Sequence, residues 1–216
     1  MIEEILSAAV FAEDTREDLE VELFPDELAA VGRSVEKRRL EFTTARALAR
    51  QALARLGIAP CAIANGDRGQ PLWPAGVVGS ITHCAGYRAC AVARASEVMG
   101  VGIDAEPHAP LPDGVLGQIA RAEERPRLAA LADAEPQVHW DRLLFCAKET
   151  VYKVWFPLAG CWLGFEDAVL TFDPPARVFR ARLLKPWPQP GGGPPTLEGR
   201  WLVRDGLVLA AIAPAR

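Results

Sequence analysis

Hydrophobic side chains follow two periodicities along the chain, and the switch between them predicts its elements. Over residues 34–56, apolar positions recur at helical spacing from Phe42 to Leu56, and Gly57 follows as a C-terminal stop, so the pattern predicts one long helix. Residues 66–71 have the composition of a turn. Short β-prone runs beyond it predict strands at residues 77–78, 80–82, 90–93 and 98–103.

A proline-rich stretch at residues 107–112 interrupts this pattern and predicts a hinge between two halves. Two helices are predicted after it, over residues 114–131 and 140–156, and Pro157 is expected to end the second one. The remaining runs predict four strands, at residues 168–172, 178–183, 200–203 and 207–212, and one flexible surface loop, at residues 185–195. Each half is thus predicted to combine helix with several strands.

The helix predicted over residues 140–156 has two apolar faces of different character. Leu144, Val151 and Trp155 form one face, which we expect to pack against the core. The other face mixes aromatic and charged side chains, namely Phe145, Glu149, Tyr152, Lys153 and Phe156. The pattern therefore predicts a core side and a working side on one helix.

Length and composition exclude several classes of protein. The chain has 216 residues, of which 50% are hydrophobic, and this is enough for one large domain or two small ones with a real core. It contains no apolar stretch long enough to span a bilayer, and its first residues have neither a basic nor an apolar signal segment, so we expect a cytoplasmic protein without a membrane partner. The five cysteines are scattered without paired spacing, which favours reduced, buried thiols over a disulfide or zinc framework.

The formal net charge of -4 conceals an uneven distribution. Residues 1–30 carry ten acidic side chains and only Arg16 as a basic one, whereas residues 33–55 carry seven basic and two acidic side chains. The basic stretch is a candidate anion site, and a solvated helix face is the alternative. The acidic overall balance and the lack of interleaved aromatic residues argue against nucleic acid as a partner.

Two separated motifs carry the candidate chemistry. Asp104 and Glu106 lie two residues apart after an apolar run, so they share one face of a strand. Glu149 and Lys153 are four residues apart and share one face of the predicted helix. Together they predict a Mg²⁺ site for phosphoryl chemistry, because Mg²⁺ takes a few carboxylates and fills its other positions with water and substrate phosphate. Taken alone, an Asp-x-Glu pair at a strand end is often a solvated turn, and the addition of Glu149 and Lys153 is what favours the metal site.

Other candidate residues have structural alternatives. Arg38 and Arg46 are available for an anion, but they could also pair with Glu36 and Glu41 on the same helix. His83 follows a Ser-x-Thr sequence, yet no ordered base and orienting group accompany it, which argues against nucleophilic catalysis. Trp162 and Phe165 are as compatible with a core as with a ligand wall, and His108 and His139 have no metal-site spacing.

Three motifs in this order resemble the 4′-phosphopantetheinyl transferases of the large, surfactin-synthetase-activating class. They are Ser80-Ile81-Thr82-His83-Cys84, Gly102-Ile103-Asp104-Ala105-Glu106 and Phe145-x-x-Lys148-Glu149-x-x-x-Lys153. The likeness covers nearly the whole chain. It is nearest to actinobacterial enzymes, through Lys37-Arg38-Arg39-x-Glu41-Phe42, the run from Thr82 to Arg88, and the run from Trp162 to Ala168.

The resemblance implies a fold and a reaction. The fold would be two similar α+β halves, residues 1–106 and 107–216, related by a pseudo-twofold axis, with coenzyme A in the cleft between them. The enzyme would transfer the 4′-phosphopantetheine group of coenzyme A to a serine of an apo acyl or peptidyl carrier protein and release adenosine 3′,5′-bisphosphate. Fusion of both halves in one chain implies a monomer.

The resemblance also implies a role for particular residues. Asp104, Glu106 and Glu149 would hold Mg²⁺, while Glu149 and Lys153 would be catalytic, with Lys153 at the reacting phosphate. The implied coenzyme-binding residues comprise phosphate ligands, an apolar wall and their motif neighbours, namely Arg38, Arg46, His83, Arg68, Ser80, Thr82, Lys148, Phe145, Tyr152 and Trp162. Asn65 stands where related enzymes often have lysine, so the 3′-phosphate would be bound less tightly or by Arg68 instead.

The chemistry favours Glu149 as the acceptor of the serine proton, directly or through a metal-bound water. Two other classes of function use the same residues. A Mg²⁺-dependent nucleotide pyrophosphatase or phosphodiesterase would use water as the nucleophile. A non-catalytic coenzyme A or carrier-binding module would bind without needing Glu149 or the metal.

Overall fold

The computed structural model describes residues 1–32 and 34–216, and its strands form two separate sheets. Met1–Ile103 together with Ala213–Arg216 make one compact unit, called unit 1 below, and Asp104–Ile212 make unit 2. The two units combine helices with sheets, which confirms the predicted α+β class. The predicted division between residues 106 and 107 and the pseudo-twofold relationship stay predictions. Arg33, part of the predicted basic stretch, lies outside the described residues.

Unit 1 consists of a three-stranded antiparallel sheet and a long helix. After a 3₁₀ turn at Ile2–Ile5, its elements are β1 (Val10–Thr15), α1 (Pro25–Val31), α2 (Glu36–Arg55), β2 (Val77–Cys84) and β3 (Tyr87–Arg94), and the strand order is β1-β3-β2. The long helix predicted over residues 34–56 is confirmed as α2. Gly57 follows it with a φ of 74°, a conformation that glycine adopts without a steric cost.

Helix α2 packs against the sheet through the stripe that the sequence predicts. Its apolar side chains are buried with strand residues such as Val77 and Val92, and its contributors include Leu48, Ala49, Ala52 and Leu53. Residues 66–71 form the predicted turn, in which Gly66 N–H donates to the Gln70 carbonyl at 2.8 Å. The turn and strand β2 follow α2 along the chain, and β2 carries the motif from Ser80 to Cys84.

Unit 2 is a five-stranded sheet with one long helix in its core. Its elements are β4 (Gly102–Pro107), α3 (Val115–Ile119), α4 (Arg125–Ala134), α5 (Trp140–Ala159), a 3₁₀ turn (Phe165–Asp167), β5 (Ala168–Asp173), β6 (Val178–Leu183), β7 (Thr196–Arg204) and β8 (Leu207–Ile212), with strand order β4-β8-β7-β6-β5. Strands β5 to β8 pair antiparallel in succession. Leu144, Val151 and Trp155 of α5 are fully buried, which confirms the predicted core face of this helix.

Three predicted boundaries are wrong. The strand predicted from residue 98 begins only at Gly102, because Met99 N–H instead donates to the Pro214 carbonyl in unit 1. The strand also continues past its predicted end at residue 103 to Pro107, so Asp104 and Glu106 lie inside β4. Helix α5 continues past Pro157 to Ala159, since later N–H groups still find acceptors, as Gly160 N–H does at the Phe156 carbonyl.

The single helix predicted over residues 114–131 is also wrong, because the chain forms α3 and α4 with a turn between them. In that turn the Glu124 carboxylate accepts a hydrogen bond from the Arg121 N–H at 2.8 Å. Pro126 lies in the first turn of α4, where its missing N–H costs nothing, whereas inside a continuous helix it would break a hydrogen bond. No helix among the described residues is long and apolar enough to cross a membrane.

Gly199 lies at a close approach in the sheet of unit 2, which gives a testable expectation. A Cβ atom there would lie 2.3 Å from Phe179 Cζ and 2.7 Å from the Ala211 carbonyl oxygen. We expect Gly199→Ala to lower the free energy of unfolding by about 1–3 kcal/mol through overpacking. Gly117→Ala on α3 is the matched control, because a Cβ there meets no atom within 4 Å. Equal urea midpoints for both variants would contradict the expectation.

Candidate functional site

The two carboxylates of β4 form ion pairs with helix α5. Asp104 is buried, and its Oδ1 accepts a hydrogen bond from Lys153 Nζ at 2.8 Å. Glu106 lies two residues further on the same strand face, and its Oε2 accepts one from Arg142 Nη1 at 2.9 Å. Asp104 and Lys153, predicted from separate motifs, are therefore in direct contact within unit 2.

Glu149 lies one helical turn before Lys153 and belongs to the same electrostatic cluster. Burial raises the pKa of Glu149, the Asp104 charge raises it further, and Lys153 opposes the change. The pKa of Glu106 is likewise raised by burial and then by Asp104, with Arg142 opposing. Burial is the larger cause of both pKa shifts and the Asp104 charge the second, a combination that is common at functional sites.

The carboxylates are not arranged as a finished metal site. Throughout residues 1–32 and 34–216, no group of three or more His, Cys, Asp or Glu side chains is placed to bind a metal ion. The position beside Asp104 Oδ1 is taken by the Lys153 ammonium. The convergence of Asp104, Glu106 and Glu149 on one Mg²⁺ therefore stays a prediction.

An aromatic pocket lies beside Glu149. Its volume is about 70 Å³, and its lining includes Glu149, Tyr152, Trp162 and Phe165. The rings of Tyr152 and Trp162 are 5.0 Å apart, and Phe145 packs on Phe165 at 6.0 Å. Trp162 is 58% exposed, so it is a wall residue and not part of the core. Two of the predicted wall residues, Tyr152 and Trp162, thus line this pocket, and Phe145 lies behind the Phe165 ring that also lines it.

Lys148 is buried and is among the residues that line this pocket. Its ammonium donates hydrogen bonds at 2.8 Å to the Ile119 carbonyl, to Glu124 Oε2 and to the Phe165 carbonyl. Burial lowers the pKa of Lys148, while Glu124 opposes that change. All three N–H donors are engaged inside unit 2, and the coenzyme-binding role of Lys148 stays a prediction.

In unit 1, Arg38 and His83 lie side by side. Arg38 Nη1 is 2.9 Å from His83 Nε2, and each side chain has a nitrogen 3.8 Å from Glu41 Oε2. The Arg38 side chain is half exposed. The structure thus brings together two of the predicted phosphate ligands, with a loosely placed carboxylate between them.

Arg46, in contrast, is buried, and its guanidinium already donates hydrogen bonds within unit 1. Its Nε donates to the Ile63 carbonyl at 2.8 Å, its Nη2 donates to Asn65 Oδ1 at 2.5 Å, and its guanidinium lies over the Phe42 ring. Burial lowers the pKa of Arg46 to about 10. Its carboxylate neighbour is Glu27, at 3.9 Å, and neither Glu36 nor Glu41.

The remaining predicted residues of unit 1 are not in this cluster. Arg68 is exposed in the turn, where its backbone N–H donates to Gln70 Oε1. Ser80 and Thr82 are buried on the face of β2 opposite to His83, and Ser80 Oγ accepts the Ile103 N–H at 3.1 Å.

Two residues of these clusters, Arg142 and Glu124, are not among those predicted from the sequence. Arg142 lies seven residues before Glu149 on the same helix face, so its spacing could have shown it. No sequence pattern identifies Glu124 as part of the cluster, because its contacts depend on the turn between α3 and α4. Lys148 continues the buried stripe of Leu144, Val151 and Trp155, and this spacing already indicates an inward direction.

Comparison with known proteins defines the class. The chain belongs to the 4′-phosphopantetheinyl transferase superfamily, whose model matches residues 100–190, and the model of the 4′-phosphopantetheinyl transferase N-terminal domain matches residues 26–93. The resemblance read from the motifs is confirmed. The family uses coenzyme A as a substrate and acts on carrier proteins.

Three relatives extend this similarity over most of the chain. The 4′-phosphopantetheinyl transferase Svp of Streptomyces mobaraensis is 55% identical over 89% of this chain and 79% of its own length. The transferase Npt of Nocardia iowensis is 49% identical over 100% of both chains. The transferase PptT of Mycobacterium tuberculosis is 51% identical over 87% of this chain and 84% of its own. The expected likeness to actinobacterial enzymes is thereby confirmed.

Proposed function

We propose that this chain transfers the 4′-phosphopantetheine group of coenzyme A to a serine hydroxyl of an apo acyl or peptidyl carrier protein. The observation that carries the proposal is the cluster of Asp104, Glu106, Glu149 and Lys153 beside the pocket of Tyr152 and Trp162. Carboxylates, an ammonium and a narrow aromatic pocket suit a substrate that joins a diphosphate to a flexible arm. Membership of the superfamily supports the same reaction.

Asp104, Glu106 and Glu149 are proposed to hold Mg²⁺. Their oxygen donors are those that Mg²⁺ prefers, and the raised pKa values of Glu106 and Glu149 indicate that another cation would be favourable there. When bound, Mg²⁺ supplies charge neutralisation at the diphosphate. The ion pair with Lys153 engages Oδ1 of Asp104, so Asp104 could bind the metal through its second oxygen while the Lys153 ammonium keeps its contact.

The protein's own groups perform the proton transfer and the positioning. Glu149 is the proposed acceptor of the carrier serine proton, either directly or through an intervening water. The serine oxygen then forms a bond to the reacting phosphorus, and the bond from that phosphorus to the leaving adenosine 3′,5′-bisphosphate breaks. Lys153 donates hydrogen bonds to the phosphoryl oxygens, where negative charge is concentrated.

The coenzyme-binding residues carried into the proposal have two functions. Phe145, Tyr152 and Trp162 would enclose the pantetheine arm. The proposed phosphate contacts in unit 1 are Arg38, His83 and Arg46, and the partly exposed side chains of Arg38 and His83 support that role. Arg68 is proposed to take the 3′-phosphate in place of the lysine of related enzymes, and Ser80 and Thr82 complete the proposed coenzyme-binding set. A cytoplasmic location and a monomeric state stay predictions, and light scattering tests the second.

Transfer is tested by incubating the protein with coenzyme A, Mg²⁺ and an apo carrier protein and measuring the carrier's mass. We expect a gain of one 4′-phosphopantetheine per carrier and release of one adenosine 3′,5′-bisphosphate. Chelation with EDTA should abolish the gain, and added Mg²⁺ should restore it. Release of the bisphosphate without a carrier would instead indicate a pyrophosphatase. Coenzyme A binding without any product would indicate a binding module.

A further inference from the structure

A buried ion pair beside the pocket has no part in the mechanism described so far. The side chains of Lys148 on α5 and Glu124 before α4 are 2% and 1% exposed, and Lys148 Nζ lies 2.8 Å from Glu124 Oε2. We propose that this pair is a positioning device for the wall that contacts the pantetheine arm of coenzyme A. The inference rests on the proposed function, because it assigns the arm to this pocket.

The Lys148 ammonium connects the helix to the pocket wall. It donates to the Phe165 carbonyl at 2.8 Å and approaches the Ala168 carbonyl at 3.2 Å. Phe165 and Ala168 both line the pocket, as does Glu149, the next residue to Lys148 along α5. One ammonium therefore fixes the distance between the residues that carry the wall and the helix turn that carries the proposed base.

Glu124 extends this network behind the wall. Its Oε1 accepts the N–H of Leu170 at 2.7 Å, and its Oε2 accepts the N–H of Arg121 at 2.8 Å. Leu170 belongs to β5, and Arg121 to the turn after α3, so the carboxylate joins two further elements to Lys148. Neither Leu170 nor Arg121 is among the residues that line the pocket.

The wall segment is also tied down at other points. Trp155 Nε1 donates to the Cys161 carbonyl at 2.9 Å, and Gly164 N–H donates to Asp167 Oδ2 at 2.9 Å. The segment from Cys161 to Ala168 is thus held at its start by Trp155 and at its end by Lys148, and the hydrogen bond from Gly164 to Asp167 closes its middle part. A wall ordered before binding loses less conformational freedom when the ligand enters, which raises affinity for the part of the ligand that it contacts.

The pocket's lining indicates which part of coenzyme A this is. Most of its lining is apolar or aromatic and includes no arginine, which suits an uncharged, flexible chain better than a phosphorylated nucleoside. The pair therefore acts on recognition of the arm and not of the nucleotide. This distinguishes it from a phosphate ligand, whose loss would weaken binding of both portions.

Glu124→Gln tests the proposal through two ligands. Calorimetric titration should show coenzyme A bound about tenfold more weakly by the variant, and adenosine 3′,5′-bisphosphate, which lacks the arm, bound within about twofold of the wild type. Glu198→Gln is the matched control, because Glu198 forms an exposed ion pair with Arg180 on the sheet. Equal weakening of both ligands, or no weakening of either, would overturn the inference.

Hydrogen exchange on the unaltered protein gives a readout that does not depend on a variant's folding. Coenzyme A, but not the bisphosphate, should slow exchange of the Arg121 and Leu170 amides that donate to Glu124. Unchanged exchange at both amides in a protein that binds coenzyme A and modifies a carrier would overturn the positioning role alone. A protein that binds neither ligand would overturn the proposed function and this inference with it.

Discussion

Replacing Glu149 by glutamine is expected to lower kcat/KM for carrier modification by about a thousandfold, because a positioned base alone contributes about 10²–10⁴ and a metal ligand is lost as well. The amide keeps the size of the side chain but can neither accept the serine proton nor supply a charged oxygen to Mg²⁺. The measurement is the rate of holo-carrier formation by mass spectrometry. Turnover within about twofold of the wild type would remove Glu149 from the mechanism.

The same substitution should not destabilise the metal-free protein. The raised pKa of Glu149 means that its charged form is disfavoured in the folded state relative to the unfolded one. The native state therefore binds more protons between the ordinary and the raised pKa, so stability falls as the pH rises through that window. Glu149→Gln removes this penalty at neutral pH. Its melting temperature should equal or exceed that of the wild type, and a large decrease would indicate a structural role instead.

Replacing Lys148 by methionine is expected to have the largest effect on stability. The variant leaves the Glu124 carboxylate buried without its cation and removes the donor from the Ile119, Phe165 and Ala168 carbonyls. Breaking one side of a buried pair costs about 3–5 kcal/mol. Urea unfolding followed by tryptophan fluorescence measures the loss.

Two further variants show whether burial is the cause. Arg180→Met breaks an ion pair in which both side chains are more than half exposed, and it should cost less than about 1 kcal/mol. The double variant Lys148→Met with Glu124→Leu should be more stable than Lys148→Met alone, since no uncompensated charge stays buried. An unfolding free energy of Lys148→Met equal to that of Arg180→Met would contradict this account.

Much of the fold could be predicted from periodicity, because core burial imposes it. The α2 stripe, the two faces of α5 and the strands at Val178–Leu183 and Leu207–Ile212 are all found where the pattern places them. The break between α3 and α4 was missed, since the apolar pattern continues across it while Pro126 and the Glu124 carboxylate decide the local structure.

The candidate site could be predicted in residue type but not in pairing. Spacing places Asp104 with Glu106 and Glu149 with Lys153, yet the ion pair between Asp104 and Lys153 depends on how α5 lies on the sheet, which no local pattern contains. The family motif predicts Lys148 as a coenzyme contact, while helical phase predicts its burial in the stripe of Leu144 and Val151, because adjacent residues point about 100° apart on a helix. The structure confirms the burial, and the coenzyme contact stays a prediction.

The central claim is that Asp104, Glu106 and Glu149 bind one divalent cation together with the diphosphate of coenzyme A. Crystals grown with coenzyme A and Mn²⁺ test it most directly, because anomalous scattering locates the metal without reference to the protein. The account predicts one peak about 2.0–2.3 Å from an oxygen of each carboxylate and from phosphate oxygens. A peak that contacts phosphate alone, or full-occupancy coenzyme A with the Asp104–Lys153 ion pair intact and no peak, would contradict it.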